Sequence, residues 1–231
     1  MFKNNNTINL SSSQDDKWEI LRRRSWPFRY IPFVDFVLVA GSMAFGNARE
    51  DSDFDVIVSA RHGRIFTVRF LCWLVFGLFG WRAKHKYSLS SFDDDRGAKN
   101  KFCFSHFVTE KSYKLSPPYN EYWQKLYQNL MPIYGRKNLI KKFWEENRSW
   151  AGEREYVYDH FFGTRLWLVN KIAERLIGGF LGRVLETILR KIQVFKIKNN
   201  IKKSGLGYGP RIKYSSAELE FHPDTKRTFD I

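Results

Sequence analysis

Cysteine and acidic residues are the scarce components of this 231-residue chain. Its two cysteines, Cys72 and Cys103, lie in separate apolar stretches and form no CxxC pair. That excludes a disulfide framework and a cysteine-based zinc site, and buried, reduced thiols in a cytoplasmic setting are expected instead. Asp and Glu number 24 against 39 Lys and Arg, for a net charge of +15. No apolar run reaches the roughly twenty residues that a membrane span needs. The nearest candidate, Ile65 to Trp81, is interrupted by Arg69. It reads as a buried helix, so stable membrane insertion is not expected. The alternative is an interfacial anchor using Trp73, Phe76, Phe79 and Trp81 beside Arg82, Lys84 and Lys86. The first sixteen residues are polar, without an apolar h-region, so no secretory signal is expected. The chain shows no internal repeat, no Walker A loop and no spacing that would mark a Ser/His/Asp triad.

What is abundant suits a packed core. Hydrophobic residues make up 43% and aromatic residues 17% of the chain, which excludes wholesale disorder. The positive charge is concentrated: twelve Lys and Arg between Phe161 and Lys213 face only Glu174 and Glu186, a local excess of +10. A field of that sign draws RNA or another polyanion to the basic helices of residues 161–213, although charge alone specifies no partner.

Residues 1–16 read as a flexible tail and Trp18 to Arg24 as a short helix, with Pro27 and Pro32 breaking the chain before a first strand. Tyr87 to Ser90 reads as a strand and 93–97 as a loop. Lys101 to Thr109 reads as a strand whose strict alternation groups Phe102, Phe104, His106 and Val108 on one face. Pro117-Pro118 marks a boundary. Beyond it, helical periodicity runs through 119–131, 137–147 and 156–195, the last bent at Gly178-Gly179. The apolar residues of 156–195 recur as one face, with the basic residues on the other. Gly205 to Ile231 carries no motif.

The chemistry-bearing stretch lies near the amino terminus. An apolar run from Val34 to Ala40 leads into Gly41-Ser42-Met43-Ala44-Phe45-Gly46, and Asp53-Phe54-Asp55 then enters the apolar Val56-Ile57-Val58. This is strand, turn, helix start, loop and second strand. Asp53 and Asp55, at i and i+2 on a strand, project from one face. The turn after the first strand can bring backbone N–H groups and the Ser42 hydroxyl against phosphates. Carboxylates that hold Mg²⁺, opposite a turn that holds a polyphosphate, are the minimum apparatus of phosphoryl transfer.

On these residues, 33–60, the chain resembles the nucleotidyltransferase superfamily that includes DNA polymerase beta and the minimal nucleotidyltransferases. Its signature is Gly-Ser, roughly ten residues, then Asp-x-Asp in an apolar strand. The resemblance implies an α/β fold: a nucleotidyltransferase-like mixed sheet with flanking helices in residues 17–115, followed by an α-helical C-terminal region, 116–231. It implies transfer of a nucleoside monophosphate from an NTP such as ATP to an acceptor hydroxyl. Gly41 and Ser42 would bind the nucleotide phosphates, and Asp53 and Asp55 would be the catalytic carboxylates that hold Mg²⁺.

Members of that superfamily also present a third carboxylate from a later strand. Here Phe102 to Val108 contains no Asp or Glu, and Ser105 and His106 occupy its centre. The nearest acids are Asp93, Asp94 and Asp95 in the loop and Glu110 at the strand's end. His106 is a base candidate at neutral pH, although a packed strand histidine is the plainer expectation. Two functions therefore stay open: an active nucleotidyltransferase, or a catalytically impaired module of the same fold that binds NTP or nucleic acid.

Overall fold

A computed structural model describes residues 5–83, 98–154, 157–164, 167–204 and 211–222. Within them the chain contributes β1 (Val34–Val39), β2 (Phe54–Ala60), β3 (Phe102–Val108), β4 (Met131–Gly135), β5 (Ile212–Tyr214) and β6 (Glu218–Phe221) to one six-stranded sheet. The strand order is β4-β1-β2-β3-β6-β5. Only β2 and β3 pair in parallel; the other neighbours are antiparallel. The central strands read as continuous apolar runs because both sheet faces are covered.

The helices are α1 (Asn5–Arg24), α2 (Gly41–Ala44), α3 (Ile65–Leu78), α4 (Glu121–Asn129), α5 (Lys137–Ala151), α6 (Trp167–Gly178) and α7 (Phe180–Ser204). One sheet face, with Val37, Val39, Val56, Val58, Phe102 and Phe107, packs on Phe66, Cys72 and Phe76 of α3, Leu21 of α1 and Leu189 of α7. The other, with Phe36, Leu38, Ile57 and Val108, packs on Trp123 and Leu126 of α4 and on Ile140 and Phe143 of α5.

Three expectations change. The polar stretch read as a tail is helical from Asn5, continuous with the helix expected at Trp18. The C-terminal region is not purely helical, since β4, β5 and β6 all come from beyond residue 116. α4 ends at Asn129, short of the helical periodicity that runs to Met131, and Pro132 sits in β4, which a proline tolerates because β4 is an edge strand. Finally, β3 breaks its alternation. Asp55 pairs with Cys103 but Ile57 pairs with His106, so β3 carries one extra residue there. This bulge turns Cys103 and His106 to the same face, while Phe102, Phe104 and Phe107 share the opposite core. The strand expected at Tyr87–Ser90 and the loop at 93–97 lie outside the described residues.

The break at Gly178-Gly179 is present, between α6 and α7. The apolar face expected there is not packed, however. α7 buries Leu189, Gln193 and Ile197 against α3, whereas Leu176, Phe180, Leu181 and Phe195 stay 67–74% exposed. Both acids of this region serve the fold. Glu186 accepts from the Phe66 and Thr67 amides and so caps α3, while Glu174 pairs with Arg61 at 2.9 Å. Arg69, the charge inside α3, is buried against Gln193 (2.7 Å) with its guanidinium over the Trp73 ring. No helix among the described residues is long and apolar enough to cross a membrane.

Candidate functional site

The Gly41-Ser42 turn and the Asp53/Asp55 pair meet because β1 and β2 are antiparallel neighbours. The Ala40 amide donates to the Asp55 carbonyl at 2.9 Å, closing the ladder where β1 ends. Gly41 then turns the chain away at φ +61°, and a Cβ placed on it would lie 2.3 Å from Asp55 Oδ2. Glycine is required here twice over, by the left-handed backbone and by contact with the carboxylate. The helix start expected after the turn is a single turn, α2, beginning at Gly41 itself, with Ser42 half-buried in it.

Two side chains of α1 brace this corner, and neither was legible as functional. Gln14 donates to the Met43 carbonyl (3.0 Å) and accepts from the Ala48 amide (3.1 Å), pinning both ends of the turn. Lys17 Nζ donates to the Ser52 carbonyl at 2.6 Å, just before Asp53. Burial, then the neighbouring Lys99, pull the Lys17 ammonium below its usual range, against the attraction of Asp51, Asp53 and Glu50.

Asp53, Asp55 and Cys103 bring one potential ligand atom each within 4.8 Å of one another. Cys103 thus stands on the neighbouring strand, the one on which the resemblance implies a third carboxylate. Burial pushes its thiol well up, and Asp55 and Asp53 push the same way, so it stays protonated and hydrogen-bonds Asp55. Two carboxylates suit a hard cation such as Mg²⁺, which commonly takes one or two of them with water and substrate phosphates. A neutral thiol is a poor Mg²⁺ ligand. Glu110 is not brought to the pair: it follows the far end of β3 and bonds Lys142. Asp93, Asp94 and Asp95 lie outside the described residues.

Beyond Cys103 the same sheet face carries a polar cluster. Cys103 is hydrogen-bonded to Ser105, Ser105 Oγ lies 3.2 Å from His222 Nε2, and His222 Nδ1 lies 3.3 Å from Glu220 Oε1. Arg211, fully buried, reaches Glu220 at 3.4 Å, bonds the Pro118 carbonyl and lies over the Trp123 ring. Lys213 pairs with Glu218 at 3.0 Å. His106, the base candidate of the sequence, is 1% exposed and committed to Glu218 at 3.2 Å. Burial works against charge on Glu220, but the hydrogen bond to His222 and the charges of His106, His222 and Arg211 outweigh it and hold the carboxyl at about 2. Burial lowers His222 below its ordinary range, partly opposed by Glu220.

His106, Glu220 and His222 also place ligand atoms within 4.8 Å of one another. Arg211 and Lys213 already neutralise the carboxylates there, so the cluster fits an ion-pair network better than a cation site. The sequence signal missed was the alternation Glu218-Leu219-Glu220-Phe221, a strand that puts both acids on one face. No family model, no curated protein and no solved structure matches the chain.

Proposed function

We propose that this chain is a Mg²⁺-dependent nucleotidyltransferase that moves a nucleoside monophosphate from an NTP to an acceptor hydroxyl, releasing pyrophosphate. The observation that carries the reading is the contact of Gly41 with Asp55: the turn meant for phosphates touches the carboxylate meant for metal. Asp53 and Asp55 would hold Mg²⁺, whose charge would offset that of the phosphates and the leaving group. Gly41 and Ser42 would face the nucleotide phosphates, and Gln14 and Lys17 keep the two loops in register. Most of the catalytic effect in such a site is positioning and electrostatics. The test is calorimetry with Mg²⁺ and a non-hydrolysable NTP, for the native chain and for Asp53→Ala with Asp55→Ala. Binding that survives the double substitution would sink the reading.

A second reading is favoured by Cys103, a neutral thiol where the described residues bring no third carboxylate to Asp53 and Asp55. On that reading the chain binds NTP without transferring it, and NTP binding with no pyrophosphate release would identify it. In either case the exposed Arg183, Arg190, Lys191, Lys196 and Lys198 of α7 are proposed to contact a polyanion such as RNA. Arg211 and Lys213 are spent on Glu220 and Glu218 and take no part in that surface.

A further inference from the structure

We propose that His222, oriented by Glu220, is the general base that takes the proton from the attacking hydroxyl. The inference rests on the nucleotidyltransferase reading and supplies the group that reading lacks, since β3 carries no carboxylate.

The geometry is that of a base held by an orienting acid. Glu220 Oε1 is 3.3 Å from His222 Nδ1 and fully buried, so Nδ1 carries the proton and Nε2 keeps its lone pair. The His222 side chain is 31% exposed, so an incoming group reaches the ring, and its hydroxyl would take the place that Ser105 Oγ holds on Nε2. The ring is held by Trp123 at 5.1 Å and His106 at 5.8 Å between centroids. Nε2 already meets one hydroxyl, that of Ser105, at 3.2 Å. Ser105 and Cys103 lie between this nitrogen and Asp55 along the sheet. The base therefore stands on the same sheet face as the metal carboxylates, two strands further on, just after β6.

The charged groups facing the imidazole are Glu220 and Glu218 from β6, Arg211 and Lys213 at β5, and His106 from β3. Burial, with Arg211 and His106, keeps the ring unprotonated at neutral pH, as a base must be. In the step, the acceptor O–H gives its proton to Nε2 and its oxygen bonds the α-phosphorus. The bond from that phosphorus to the oxygen bridging to the β-phosphate breaks, and its electron pair leaves on pyrophosphate. His222 then returns the proton to water. Glu220 touches no reacting atom; it is a positioning residue.

The experiment compares the native chain with His222→Gln and Glu220→Gln by three measurements. Calorimetry follows Mg²⁺ with a non-hydrolysable NTP. Pyrophosphate release from each NTP, with water and total cellular RNA as acceptors, is followed from about pH 5 to pH 9. NMR follows the His222 ring titration in the free protein. His222→Gln is expected to bind NTP as the native chain does, release pyrophosphate about 100-fold more slowly and lose the acidic limb of the profile. Glu220→Gln removes the group that raises the His222 pKa, so both the limb and the ring titration move to lower pH. The NMR shift is read even if that variant is too slow to assay. Native release by His222→Gln, an unshifted ring titration in Glu220→Gln, or a nucleotidyl adduct on Ser105 by mass spectrometry would overturn the proposal. A native chain that binds NTP but releases no pyrophosphate also overturns it while sparing the site. Absence of NTP binding removes the underlying reading as well.

Discussion

Gly41 and Asp55 touch so closely that any side chain at residue 41 would displace the carboxylate: the first atom it would meet is Asp55 Oδ2, at 2.3 Å. Gly46, at φ +72°, has an equally left-handed backbone, but a methyl group placed on it would meet nothing within 4 Å. The pair separates two effects. Gly41→Ala and Gly46→Ala both carry the left-handed strain of about 1–2 kcal/mol. Only Gly41→Ala also moves Asp55. Thermal unfolding should show both variants destabilised, and calorimetry should show Mg²⁺-dependent NTP binding lost in Gly41→Ala alone. Native affinity in Gly41→Ala would mean that the turn and the carboxylate do not act together.

Asp53→Ala and Asp55→Ala are each expected to abolish Mg²⁺-dependent NTP binding while the chain stays folded. Two carboxylates within 4.8 Å repel at neutral pH, so removing one should leave stability unchanged or raise it. Circular dichroism melts check the second half of that statement. Ser42→Ala is expected to weaken binding without abolishing it, through loss of one hydroxyl donor.

The Glu220 carboxyl is held at about 2, below its unfolded value, so its contribution to stability is present above the ordinary carboxylate range. It is lost as pH falls through that range toward about 2. His222, also lowered, is neutral when folded and destabilises the chain as acid protonates it. Both signs agree, and the melting temperature should fall steadily on acidification below about pH 6. Glu220→Gln leaves Arg211 buried without its carboxylate and should cost about 3–5 kcal/mol. A Glu220→Gln chain as stable as the native one would remove the ion pair from the account.

Charge reversal at Arg183, Arg190 and Lys191 is expected to weaken binding to bulk RNA and to flatten its dependence on salt. Anionic vesicles form the second arm, because Leu181 and Phe195 are exposed on the same helix. Binding to RNA with an unchanged salt slope would mean that these charges only solvate α7.

The Gly-Ser and Asp-x-Asp halves of the site were legible because each is local: strand, turn and strand lie within 28 consecutive residues, Phe33 to Ala60. The helix at Ile65, although it buries one face and leaves Phe70, Leu74 and Leu78 exposed, the strand at Phe102, the two buried cysteines and the break at Gly178-Gly179 were legible for the same reason. The faces of β3 were not, since a one-residue bulge is set by pairing with β2 and leaves no mark in period-two alternation. Nor was β4, whose Pro132 and Gly135 argue against a strand until the edge position is known.

Short-range pattern alone was enough to specify a glycine turn beside paired aspartates, because hydrophobic periodicity and turn chemistry act over a few residues. Only the tertiary structure decided what completes that corner. Gln14 reaches Ala48 across 34 residues, and Ser105 meets His222 across 117. Contacts of that span depend on strand order and on register between distant segments. Strand order is a property of the whole sheet, settled by burial on both faces at once, and no single stretch of the chain encodes it.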